Sequence, residues 1–157
     1  MHANDRHREP GRLILFICVK NAGRSLMAES MFNVNPPPGW RAVSAGTHPA
    51  LAPNPRTGPM LEELGLRLPD HPPQRLTPEL MDRAAIRVTM GCLDVASCPA
   101  RLKVLELRDW SLEDPAQMDD RGFRRVRDRL RGLVEELRTE ILGAEHRVPH
   151  LTPGRPK

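Results

Sequence analysis

Apolar positions change period several times along the chain, and each change marks an element. Leu13 to Ile17 is a continuous apolar run, which predicts a buried strand. After the mixed stretch Cys18–Ser25, apolar residues recur at helical spacing in Leu26, Met27 and Met31, with Ala28 and Glu29 as good helix formers. Asn35-Pro36-Pro37-Pro38-Gly39 halts that helix. Arg41 to Ala45 predicts a second strand closed by Gly46. A Pro-rich loop, His48 to Pro59, leads into a helix striped by Met60, Leu61 and Leu64 and ended by Gly65. Pro69, Pro72 and Pro73 keep the next loop extended. Thr77 and Pro78 then read as N-cap and first position of a short helix.

Ile86 to Met90 predicts a third strand, Gly91 to Pro99 a loop, Lys103 to Leu107 a fourth strand, and Arg108 to Ala116 another loop. The last helix starts at Asp119 or Asp120. Phe123, Val126, Leu130, Leu133, Val134, Leu137 and Ile141 share one face, Arg and Glu fill the other as a solvated exterior, and Gly143 stops it. Residues 1–11 read as a disordered leader and 143–157 as a flexible tail around a domain of 12–142. Strands alternating with helices imply a single α/β domain: a four-stranded parallel sheet flanked by helices. Its ligand site belongs beyond the C-terminal ends of the strands.

Composition narrows the function classes. A chain of 157 residues suits one domain. It has no apolar run of membrane-spanning length, and its polar first residues lack a signal-peptide core, so the expected location is the cytoplasm, with no membrane partner. Net charge is only +4, with Arg and acids interleaved. Tyr is absent and aromatic residues are 3% of the chain, which argues against nucleic-acid binding. The six His are scattered, and no metal site is expected. Three Cys is an odd count, better suited to redox chemistry than to a structural disulfide framework.

The chemistry concentrates at the first strand–helix junction. Cys18 ends the strand and Arg24 opens the helix, six positions on. Backbone N–H groups of Val19, Lys20, Asn21, Ala22, Gly23, Arg24 and Ser25 can converge there at the positive end of the helix dipole, forming a nest for a tetrahedral oxyanion. The Arg24 fork would hold two oxygens of that ion. The same field stabilises a Cys18 thiolate, with an expected pKa of roughly 4–7, poised as an in-line nucleophile. Ser25 could donate a further hydrogen bond to it. Cys92 and Cys98 follow the third strand and so belong at the same sheet edge; they can bond each other only if their segment is loop or unwinds, since six helical residues span about 9 Å. Gly91 and Pro99 bracket that segment with a hinge and a breaker. Asp114, before Pro115 in the loop after the fourth strand, could protonate a leaving oxygen.

CVKNAGRS followed by LMAES resembles the active-site loop of the low-molecular-weight tyrosine phosphatase superfamily, and NAGRS-x-MAE is closest to its arsenate reductase branch. The stretches VTMGC…CP and DW-x-L-x-DPA resemble the thiol-coupled arsenate reductases, whereas the tyrosine phosphatases commonly carry tyrosines after their Asp-Pro. The resemblance covers roughly residues 12–142. It implies that Cys18 attacks arsenate held by the loop and Arg24, with Asp114 as acid, and that Cys92 and then Cys98 relay electrons from an external thiol. That reductant would be thioredoxin; in the mycothiol-linked relatives, with mycothiol and mycoredoxin, a small thiol performs the first resolution instead, and no tightly bound cofactor is implied. The Cys92–Cys98 gap falls between the patterns of those two branches and leaves the donor open. Lys20 is an unusual loop residue and could add positive charge to the nest. Some relatives bind potassium near the loop through Asn, Glu and Ser. Asn21, Glu29 and Ser44 match these, but Ala85 stands where an acid would be, so no ion is expected. The alternative activity is hydrolysis of phosphomonoesters through a Cys18 phosphoenzyme.

Overall fold

The computed structural model describes residues 11–91 and 107–151. Strand β1 (Arg12–Cys18) is followed by helix α1 (Arg24–Asn33), β2 (Trp40–Gly46), α2 (Thr57–Glu62), α3 (Pro78–Arg83), β3 (Ala84–Thr89) and β4 (Arg108–Asp109). A 3-10 turn (Pro115–Gln117) then precedes the long helix α4 (Asp120–Leu151). The four strands form one parallel sheet in the order β2-β1-β3-β4, as expected from the alternation of elements.

Every residue of β1 after Arg12 is buried, because helices cover both faces of this central strand. Ile14, Phe16 and Cys18 face one way, packing with Met27, Phe32, Leu61, Phe123 and Leu130 of α1, α2 and α4. Leu15 and Ile17 face the other, against Ala45, Leu76 and Met81. Four fully buried side chains in a row, Ile14 to Ile17, each contribute about 1.5–3 kcal/mol over exposure, so β1 anchors the sheet.

The short helices follow their caps. The Thr77 hydroxyl accepts from the Leu80 amide at 3.2 Å, with Pro78 next in line. Gly65, at φ +76°, ends the turn after α2, where the Leu66 amide reaches back to the Leu61 carbonyl at 3.0 Å.

Four boundaries differ from the pattern. Trp40 pairs with Arg12 and extends β2 by one residue before Arg41. β3 begins at Ala84, directly after α3, and Met90 leaves the sheet. The fourth strand, expected over Lys103–Leu107, lies at Arg108–Asp109, in the stretch read as loop; residues 103–106 fall outside the described residues. Pairing of Val88 with Arg108 and Thr89 with Asp109 sets that register. Finally, α4 runs through Gly143 to Leu151: one helical glycine costs about 1 kcal/mol, too little to end a helix by itself. Nor is the charged face of α4 wholly solvated. Arg127 and Arg138 are each 6% exposed, because they lie on the apolar stripe itself, four residues after Phe123 and Val134.

Candidate active site

β1 ends at Cys18, level with Gly46 of β2, and α1 starts at Arg24. The intervening loop owes its curl to where its carbonyls go. Val19, Lys20 and Ala22 carbonyls accept from the amides of His48 (2.8 Å), Ala50 (2.9 Å) and Asn54 (2.9 Å). With those oxygens turned outward, the amides turn inward, and the Asn21 amide donates to Cys18 Sγ at 3.2 Å. Ser25 Oγ lies 2.8 Å from the same sulfur. Both contacts favour a thiolate when the hydroxyl donates. Glycine is obligatory at position 46, since a Cβ there would sit 2.4 Å from the Val19 carbonyl oxygen.

Asn21 supports the loop from behind. It is fully buried and takes φ +52°, a left-handed conformation that Asn tolerates better than most residues. Its Nδ2 donates to Ser25 Oγ (2.8 Å) and Ser44 Oγ (2.9 Å), and its Oδ1 accepts from the Gln74 amide (2.9 Å). Ser44 in turn donates to Glu29 Oε1 at 2.6 Å, and His71 Nε2 meets both Glu29 oxygens at 2.9 and 3.0 Å. Partial burial opposes charge on His71, but the Pro72 carbonyl and the Glu29 carboxylate outweigh it and raise its pKa above the usual histidine value. His71 Nε2 thus stands against the Glu29 carboxylate, on the far side of the Asn21–Ser44–Glu29 set from the loop. Ala85 lies near the start of β3, at the other end of the sheet from Cys18, so it is His71 that completes this group.

Arg24 is 6% exposed and fixed by two carbonyls, Leu112 at 2.9 Å and Met90 at 3.3 Å. Its other terminal nitrogen lies 3.6 Å from Asp114 Oδ2. Asp114 is 59% exposed and accepts from the Ala116 amide at 3.0 Å. Cys18, Val19, Lys20, Ala22, Gly23, Arg24 and Asp114 all line one cavity of about 480 Å³, walled elsewhere by small apolar residues such as Ala50, Ala52 and Pro53.

Seven of the predicted residues therefore meet at one cavity. Asn21 and Ser25 stand behind it, and Cys92 and Cys98 lie outside the described residues. Sequence reasoning missed Gly46, His71, Gln74 and Thr57, whose hydroxyl donates to the Ala22 carbonyl at 2.8 Å. Only Gly46 carried a signal, a glycine closing a strand. His71 lies 42 positions from Glu29 in a loop whose prolines hid it.

A parallel α/β sheet with a cysteine, an arginine and a curled amide loop at the end of its central strand defines an α/β class of protein whose candidate site lies at that sheet edge. Within that class, the family model described as low molecular weight phosphotyrosine protein phosphatase matches residues 13–147, and the chain belongs to that family. Arsenate reductase 1 of Staphylococcus epidermidis is 32% identical over 127 residues, 79% of this chain and 93% of its own. The thioredoxin-dependent arsenate reductase of Corynebacterium glutamicum superposes with a TM-score of 0.72 at 30% identity, covering 90% of this chain and 67% of that one. An arginine phosphatase from Geobacillus stearothermophilus shares the fold, with a TM-score of 0.75 at 23% identity over 87% of this chain and 97% of its own. Among the described residues, no helix is long and apolar enough to cross a membrane.

Proposed function

We propose that the protein is a thiol-coupled arsenate reductase. The supporting observation is the convergence of Cys18 Sγ, the amide loop, Arg24 and Asp114 on one cavity. The Cys18 thiolate attacks arsenic in a bound arsenate. Asp114, as general acid, gives a proton to the departing oxygen, which leaves as water. Arg24 and the loop amides hold the remaining oxygens. The Cys92 thiolate then attacks Cys18 Sγ; the sulfur–arsenic bond breaks, its electron pair stays on arsenic, and arsenite departs. Cys98 attacks Cys92, returning Cys18 as a thiolate and leaving a Cys92–Cys98 disulfide. A thioredoxin-like protein supplies the two electrons that reopen it; with mycothiol and mycoredoxin as the donor, the small thiol resolves the Cys18 adduct in place of Cys92. The names of the relatives support the arsenate and thioredoxin parts of this reading.

The cavity favours one alternative. At about 480 Å³ it has room for more than a tetrahedral ion, so a phosphomonoester is the competing substrate, hydrolysed through a Cys18 phosphoenzyme. Cys92→Ser and Cys98→Ser separate the two. Reductase activity predicts that arsenate turnover collapses in both variants while hydrolysis of a small aryl phosphate continues. Arsenate turnover that survives both changes contradicts the relay.

A further inference from the structure

Asp114 stands on a loop held at two points. On its near side, the Leu112 amide donates to the Met90 carbonyl at 3.1 Å and the Leu112 carbonyl accepts from Arg24. On its far side, the carbonyls of the 3-10 turn are gathered by one guanidinium. Arg56 Nη1 donates to the Met118 carbonyl at 2.7 Å and to Asp120 Oδ1 at 3.3 Å. Its Nη2 donates to the carbonyls of Ala116 at 2.9 Å and Pro115 at 3.2 Å. The fork also lies 4.8 Å over the Phe123 ring.

The other end of Arg56 is tied to the oxyanion loop. Its backbone amide donates to Asn54 Oδ1 at 2.9 Å, and the Asn54 amide donates to the Ala22 carbonyl. A continuous set of bonds thus runs from Ala22, through Asn54 and Arg56, to the turn behind Asp114. The carboxyl itself is mostly exposed, and its short contact is with the Ala116 amide, inside the turn that Arg56 holds.

We infer that Arg56 is a positioning residue for the acid step, setting how far the Asp114 carboxyl stands from the oxyanion loop; this rests on the reading of Asp114 as the acid. Removing the fork leaves three carbonyls without that donor and lets the Ala116 amide drift, and the carboxyl with it. Misplacement by about 1 Å is enough to cost a reacting group about 100-fold.

The test compares hydrolysis of aryl phosphates with good and poor leaving groups by the unaltered chain, Asp114→Asn, Arg56→Ala, Arg56→Lys and the Arg56→Ala/Asp114→Asn double variant. An acid matters most for a poor leaving group. Asp114→Asn should lose about 100-fold in kcat on the poor leaving group and little on the good one. Arg56→Ala should repeat that selectivity with a loss of about 10- to 100-fold, while inhibition by inorganic phosphate holds within about twofold. Arg56→Lys should recover only part, because an ammonium cannot span four acceptors. The double variant should lose no more than Asp114→Asn alone. Where Arg56→Ala does not fold, Arg56→Lys carries the comparison. Equal losses on all leaving groups, or additive losses in the double variant, would overturn the role of Arg56 alone. No leaving-group dependence in Asp114→Asn would overturn the acid assignment, and this inference with it.

Discussion

Asn21 shows how much one residue can carry. It holds a left-handed backbone, orients Ser25 toward Cys18, and links the loop to Ser44 and Gln74. Asn21→Ala keeps the strained φ but orphans several buried partners, so it should cost about 2–4 kcal/mol, read as a lower denaturation midpoint, and weaken phosphate binding. Gly46→Ala acts by collision: its methyl meets the Val19 carbonyl, the loop must shift, and phosphate affinity falls while the sheet survives. The Glu29–His71 pair adds a pH signature. The folded pKa of His71 is raised, so its stabilisation is full below the ordinary value of 6.5 and is lost as pH rises through the folded pKa. Thermal melts of the unaltered chain and His71→Gln should therefore differ most in mild acid and converge in alkali.

At the scale of elements, α4 clamps the ends of the two helices nearest the site. Arg138 donates to the carbonyls of Met31 (2.8 Å), Phe32 (3.3 Å) and Asn35 (2.7 Å) and pairs with Glu135. It thereby satisfies the C-terminus of α1, the helix that carries Arg24. Arg127 does the same for α2 through the Met60 carbonyl at 3.0 Å and Glu63 at 2.6 Å. Arg138→Ala removes one donor from each of the Met31, Phe32 and Asn35 carbonyls, of which Phe32 keeps the Asn35 amide at 3.3 Å, and should lower stability by about 2–3 kcal/mol, by chemical denaturation. Hydrogen bonds from Arg124 and Arg127 hold the Glu63 pKa down at about 2. Because the folded value is depressed, this contribution is present above the ordinary carboxylate pKa and lost as pH falls toward 2. The stability gap between the unaltered chain and Glu63→Gln should close over that acid range.

For the molecule as a whole, the legible parts were those written in local pattern. The Leu13–Ile17 run, the Thr77-Pro78 cap and the cysteine–arginine loop each occupy a few adjacent residues, the stripe of α4 repeats within a single helix, and all appear where expected. What stayed hidden depends on contacts between distant segments. Arg127 and Arg138 read as exterior charge because their carbonyl partners come from α1 and α2. The described part of β4 is two polar residues recognisable only from their register against β3, and His71 meets Glu29 from 42 positions away along the chain. The most direct measurement traps the relay. Reduced Cys98→Ser protein is mixed with arsenate, quenched with a thiol-alkylating reagent and mapped by peptide mass spectrometry. The account predicts a Cys18–Cys92 disulfide formed in equal amount with released arsenite. Alkylation of both cysteines after arsenate has been bound would contradict it.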